Sequence, residues 1–194
     1  ADGAKMAKSS GNVFLIDDLV ARGFSALSFR YQCLTVRYRH RMNFTFTSLK
    51  ASEKALSNLQ NRVYEWKNSN SAGPLPVEAE EWRGRFWASV DNDLDLPRAL
   101  ALTWEMMRSD LPSHAKLNLI TDFDRIFGLD LDKIPAKYEI PQTVMLSIGE
   151  RASLRQNSEY MSSDSLRSQI NSSGFVISDG PDTTVVRPKT ATER

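Results

Sequence analysis

The apolar positions Leu49, Leu56, Leu59, Val63 and Trp66 recur at three- and four-residue spacing, which places them on one face of a helix of roughly five turns running from Ser48. Asn68 to Pro76, rich in Ser, Asn, Gly and Pro, then turns the chain. Beyond it Trp82, Phe86 and Val90 form a second helical stripe, Leu100, Trp104 and Met107 a third, and Leu119, Ile120, Phe123 and Phe127 a fourth. Pro97 suits the first turn of a helix and Pro112 follows a helix end. The pattern predicts a four-helix bundle, with the Trp and Met positions as core.

On either side the pattern changes. Ala1 to Asn12 is Gly, Ser and Lys with little apolar content and predicts a loop. Val13 to Ile16 is a short strand-like run, Asp17 is placed to cap a short helix through Leu19, Val20 and Phe24, and Ser25 to cap the next. Leu27, Phe29, Tyr31, Leu34 and Val36 give that next helix its apolar face. After the bundle, the prolines between Leu131 and Pro141 end the regular pattern. Thr143 to Gln156, amphipathic through Val144, Ile148 and Ala152, and Ser162 to Asn171 predict two weaker helices. Gly174 to Ser178 and Thr183 to Arg187 flank Asp179-Gly180-Pro181-Asp182, the signature of a hairpin. The fold class is thus mainly α with a small C-terminal α/β module, and the expected segments are 1–44, 45–130 and 131–194.

Charge adds a location. With 25 basic and 24 acidic residues the net charge is +1, so a nucleic-acid surface has to be a local patch. Arg22, Arg30, Arg37, Arg39, His40 and Arg41 crowd into one stretch, whereas the acids concentrate in Glu78 to Asp95 and Asp122 to Asp132. The single Cys33 excludes an internal disulfide framework and a thiolate metal cluster, which fits a reducing compartment. No apolar run has the roughly 18 residues of a membrane span, so the expectation is a cytoplasmic chain, with an organellar matrix as the alternative and no membrane partner.

Lys5-Met6-Ala7-Lys8-Ser9-Ser10-Gly11-Asn12 resembles the KMSKS loop of class I aminoacyl-tRNA synthetases, with Ala7 in place of its usual serine, and the Ser-Gly-Asn that follows resembles the version in cysteinyl-tRNA synthetases. Two lysines on such a loop suit the phosphates of ATP and the charge that develops as pyrophosphate leaves. Phe29-Arg30-Tyr31, Tyr38-Arg39 and Asn43-Phe44 are similar to that family's connecting helices, and Asp91-Asn92-Asp93-Leu94-Asp95 before Pro97 to a segment of its bundle. The C-terminal elements resemble its anticodon-binding module through Arg155, Tyr160, Asp164-Ser165-Leu166-Arg167 and Asp179-Gly180-Pro181, with Tyr160 where the family commonly has tryptophan.

The resemblance implies the fold of a KMSKS-type loop with connecting helices, a DALR-type bundle and a helix-and-hairpin anticodon module. It implies that Lys5 and Lys8, with Met6, Ala7 and Ser9, serve ATP and its magnesium. Arg155, Asp164 and Asp179 would hydrogen-bond anticodon bases, and Tyr160 would stack on one. Arg30, Arg37, Arg39 and Arg41 would meet the tRNA backbone. The implied partners are cysteine tRNA and the catalytic domain of the enzyme, in cis or in trans. That domain's His-Ile-Gly-His-type signature and zinc site are not in these 194 residues; zinc is therefore expected only in the catalytic domain, no metal ligand is assigned here, and the chain alone is expected to be inactive. The competing expectation is a non-catalytic paralogue acting as an RNA-binding or assembly subunit, which Ala7 and the Ser-rich stretch from Ser158 to Ser173 favour.

Overall fold

The computed structural model describes residues 14–134, 139–179 and 184–189. The chain divides into two compact units, Ala1–Ile134 and Pro135–Arg194.

In the first unit, α1 (Ile16–Ala21) and α2 (Ala26–Leu34) precede four longer helices, α3 (Phe46–Lys67), α4 (Val77–Asp91), α5 (Leu96–Arg108) and α6 (Ser113–Phe127). Of the expected strand at 13–16, Val13 lies outside the described residues, Phe14 and Leu15 are in no regular element, and Ile16 begins α1. Asp18 rather than Asp17 serves the helix entry, its carboxylate accepting the Leu15 N–H at 2.8 Å. Ser25 caps α2 as its position suggests, accepting from the Leu27 N–H. Thr45 and Ser48 form a reciprocal capping pair at the start of α3.

The four apolar stripes meet in one core. Leu56, Leu59 and Val63 of α3 pack with Phe86 of α4, Leu100 and Met106 of α5, and Leu119, Ile120, Phe123 and Phe127 of α6. Phe86 and Phe123 stack with centroids 3.9 Å apart. Tyr31 and Leu34 of α2 belong to the same core, and so do Leu131 and Ile134 after α6. A second, aromatic cluster gathers Phe14, Phe24, Phe29, Phe44 and Phe46 around Leu19 and Leu49. The 68–76 connection is pinned by His114, whose ring nitrogens lie 2.8 Å from Ser71 Oγ and 3.2 Å from the Pro74 carbonyl. No helix among the described residues is long and apolar enough to cross a membrane.

In the second unit, α7 (Gln142–Gln156) and α8 (Tyr160–Ser172) pack together, and a two-stranded antiparallel sheet of β1 (Phe175–Asp179) and β2 (Thr184–Pro188) packs on α8. The register runs from Phe175 opposite Pro188 to Asp179 opposite Thr184. Val144, Ile170 and Ile177 form its core, with Ile148, Phe175 and Val186 against it. The observed fold is therefore mainly helical with a small hairpin, as the hydrophobic pattern predicts.

Candidate nucleic-acid interface

Helix α7 carries Val144 and Ile148 inward, and the next position on that face is Arg151. The arginine is buried to 2% exposure, whereas Ala152, expected on the inner face, is exposed. A charge this deep requires a partner. Arg151 finds it at the end of β1, where Nη1 and Nη2 donate to the two carboxylate oxygens of Asp179 at 2.8 and 2.6 Å. This fork-to-fork pair is the strongest kind of side-chain hydrogen bonding. It holds the Asp179 carboxyl below the ordinary aspartate range and pushes the Arg151 guanidinium further up, through the hydrogen bonds first in both cases.

Arg155 lies one helical turn beyond Arg151, with Nη1 3.4 Å from Asp179 Oδ2 and its side chain 42% exposed. The chain then reverses at Ser158, which has φ +61°, and α8 starts at Tyr160, 59% exposed. Asp164 follows on the next turn of α8, exposed, while Ser163 and Ile170 face the core. Asp164 acts electrostatically on Arg151, and Arg155 and Arg167 act on Asp179. Arg167 also donates to the Ile177 carbonyl at 3.4 Å. The second unit thus brings Arg155 and Asp179 side by side, with Asp164 coupled electrostatically to Arg151. Asp179 is 27% exposed and faces its partners from the surface side. Gly180 and Pro181 lie outside the described residues.

The basic stretch of the first unit is placed differently from a row of free cations. Arg30 donates from Nε to the Phe127 carbonyl at 2.6 Å, at the C-terminus of α6. Arg37 forms an ion pair with Asp95, the buried N-cap of α5. Arg39 pairs with Asp93 at 3.0 Å and donates to the Tyr38 hydroxyl, all at the surface. Arg41 is exposed and has no ion pair among the described residues. Asp93 and Leu94 both take positive φ, so the acidic loop bends tightly to present its carboxylates to these arginines. Lys5, Met6, Ala7, Lys8 and Ser9 lie outside the described residues. No group of His, Cys, Asp or Glu among the described residues is arranged to hold a metal ion.

Arg151 is the residue that the sequence reading passed over. Its signal was present, since 144, 148 and 151 continue one helical face, but a charged side chain at that position is ordinarily assigned to solvent.

Chemically, the cluster offers exposed guanidinium donors, exposed carboxylate acceptors and an aromatic face within one small module. That is the equipment with which single-stranded bases are read along their edges and stacked.

No family model matches the chain. Among curated proteins it is 35% identical over 179 residues to cysteine–tRNA ligase 1 of Burkholderia lata, covering 92% of this chain and 37% of the relative. It is 31% identical to cysteine–tRNA ligase of Borrelia hermsii, covering 94% of this chain and 42% of the relative. The corresponding enzyme of Protochlamydia amoebophila is 30% identical, over 93% and 40%. The chain spans well under half the length of each of these relatives. Across more than nine-tenths of its own length it is therefore related by sequence to the cysteinyl-tRNA synthetases, in the proportion that suits the C-terminal part of such an enzyme.

Proposed function

We propose that this chain is the tRNA-binding C-terminal part of a cysteine–tRNA ligase, the enzyme that activates cysteine with ATP and transfers it to cysteine tRNA. The reading assigns anticodon recognition to Arg155, Tyr160, Asp164 and Asp179, on the second unit. The supporting observation is the juxtaposition of Arg155 and Asp179, in the same unit as the exposed Asp164 and Tyr160. Arg39 and Arg41 are the exposed cations best placed for tRNA phosphates in the first unit, while Arg30 and Arg37 contribute from within their tertiary contacts. Phosphate contacts position the RNA and base contacts specify it.

Lys5 and Lys8 act on the phosphates of ATP and its magnesium, in concert with a catalytic domain in cis or in trans. Zinc, which has no ligand set among the described residues, belongs to that catalytic domain in this reading. The compartment is the cytoplasm.

Binding of cysteine tRNA and of an unrelated tRNA, measured across several salt concentrations, tests the proposal. Both affinities fall with salt because phosphate neutralisation releases counterions. The proposal requires a preference for cysteine tRNA that Asp164→Ala or Arg155→Ala abolishes. Equal, salt-sensitive affinity for every RNA would instead support the non-catalytic RNA-binding or assembly subunit.

A further inference from the structure

We propose that Arg151 is a positioning residue of the base-reading surface: it grips Asp179 through both carboxylate oxygens, fixes the plane in which that carboxylate meets a base amino group, and so sets discrimination between anticodon bases. This deepens the proposed function and rests on it.

The pair is asymmetric. The guanidinium is 2% exposed and the carboxylate 27%, so the cation forms a rigid floor and the anion is the part presented outward. If its purpose were stability alone, the arrangement would be a poor one, because taking an arginine out of water offsets much of what the pair gains. Arg151 Nε has no hydrogen-bond partner among the described residues. Apart from packing, therefore, Asp179 is what orients the guanidinium, and the guanidinium is what orients Asp179. Planar two-point contact removes the rotation that a carboxylate on a hairpin end would otherwise have.

The other neighbours of Asp179 are held at longer range. Thr184 Oγ1 is 3.4 Å from Oδ1 and Arg155 Nη1 is 3.4 Å from Oδ2. Arg151 occupies one acceptor direction on each oxygen with short bonds, and among the described residues the flanking directions carry only these long contacts. An incoming base N–H can displace a long contact readily, and Arg155, loosely held, is left available as a donor. With Arg151 removed, Arg155 and Arg167 would be drawn onto the bare carboxylate, blocking the acceptors and withdrawing the donor together. A base amino group is thus the ligand chemistry that this site fits.

The test is a cycle of Arg151→Lys, Asp179→Asn and the double variant in the full chain. The measured quantity is the affinity ratio between cysteine tRNA and the same tRNA with one anticodon base substituted. Arg151→Lys keeps the charge but loses the planar two-point contact, and it is expected to lower the ratio about tenfold, the change that ~1.4 kcal/mol produces. Asp179→Asn is expected to do the same, with no further loss in the double variant, because one residue acts through the other. In the free protein, carboxyl NMR titration should show Asp179 moving up toward its ordinary value in Arg151→Lys. Should the lysine variant not fold, Arg151→Gln takes its place in the same cycle.

A wild-type ratio in Arg151→Lys, with Asp179→Asn impaired, overturns this inference and leaves anticodon reading intact. Independent, multiplying losses in the double variant also overturn it. Absence of any discrimination in the wild-type chain removes the proposed function and the inference together.

Discussion

Replacing Gly128 by alanine tests the join between α2 and α6. Gly128 ends α6 with φ 60° and ψ 46°, the left-handed region. There an L side chain costs roughly 1–2 kcal/mol. A Cβ at this position would stand 2.7 Å from Arg30 Nη2 and 2.9 Å from its Cζ. The guanidinium, the far end of a flexible side chain, would have to leave the Phe127 carbonyl that it meets at 2.6 Å. Loss of that part-buried bond adds about 0.5–1.5 kcal/mol, so Gly128→Ala is expected to cost roughly 1.5–3.5 kcal/mol in all. In an Arg30→Ala background the space is open and the bond already gone, leaving only the backbone strain of about 1–2 kcal/mol. All four tryptophans, Trp66, Trp82, Trp87 and Trp104, lie in the first unit, and urea unfolding followed by their fluorescence reports that unit alone. An identical cost in both backgrounds would refute the role of Arg30 as a clamp, and a cost below about 0.5 kcal/mol would refute the strain argument as well.

Three further outcomes are expected. Phe86→Ala removes a fully buried ring stacked on Phe123 and set edge-on to Phe127; it should lower first-unit stability by about 3–5 kcal/mol in the same urea assay, and a loss under about 1 kcal/mol would contradict the packing described. Tyr160→Ala removes an exposed ring and should leave stability within about 0.5 kcal/mol while weakening tRNA binding by ~1–3 kcal/mol, with Tyr160→Phe close to wild type, because stacking needs the ring and not the hydroxyl. Arg151 depresses the Asp179 carboxyl in the folded state. The stability from this pair is therefore fully present above the unfolded aspartate value and lost as pH falls through the lower folded one. Amide NMR of the hairpin across an acid titration should show that dependence in the wild type and lose it in Asp179→Asn; an unchanged profile would show that another group is responsible.

The longest helices were legible because their period is long and unbroken. Leu49 to Trp66 fixes one face along most of the 22-residue α3, and the tertiary core requires that face. The hairpin was legible for a different reason, its turn residues falling between two β-prone runs. Four consecutive apolar residues at 13–16 carry no period, so strand and helix were equally compatible with them. The choice was made by Asp18, whose side chain closes onto Leu15. Long-range side-chain contacts were beyond local reading. Arg30 meets Phe127 across 97 positions and Arg37 meets Asp95 across 58, and no periodicity encodes partners at that distance. The same applies to Arg151. Its inward face was visible, but its partner, 28 positions on, is what makes a buried arginine tolerable there. The proposed base-reading set followed from resemblance in sequence order, whereas the support beneath it came from the geometry.

The most direct measurement is the binding of an isolated anticodon stem-loop RNA to the full chain, followed by amide chemical shifts. With the cysteine anticodon, shifts should concentrate on Arg155, Tyr160, Asp164 and Asp179, and a single base change in the triplet should weaken binding about tenfold or more, as ~1.4 kcal/mol or more of lost base contacts requires. Shifts confined to the Arg30 to Arg41 stretch, with no dependence on the triplet, would contradict the assignment of anticodon reading to the second unit.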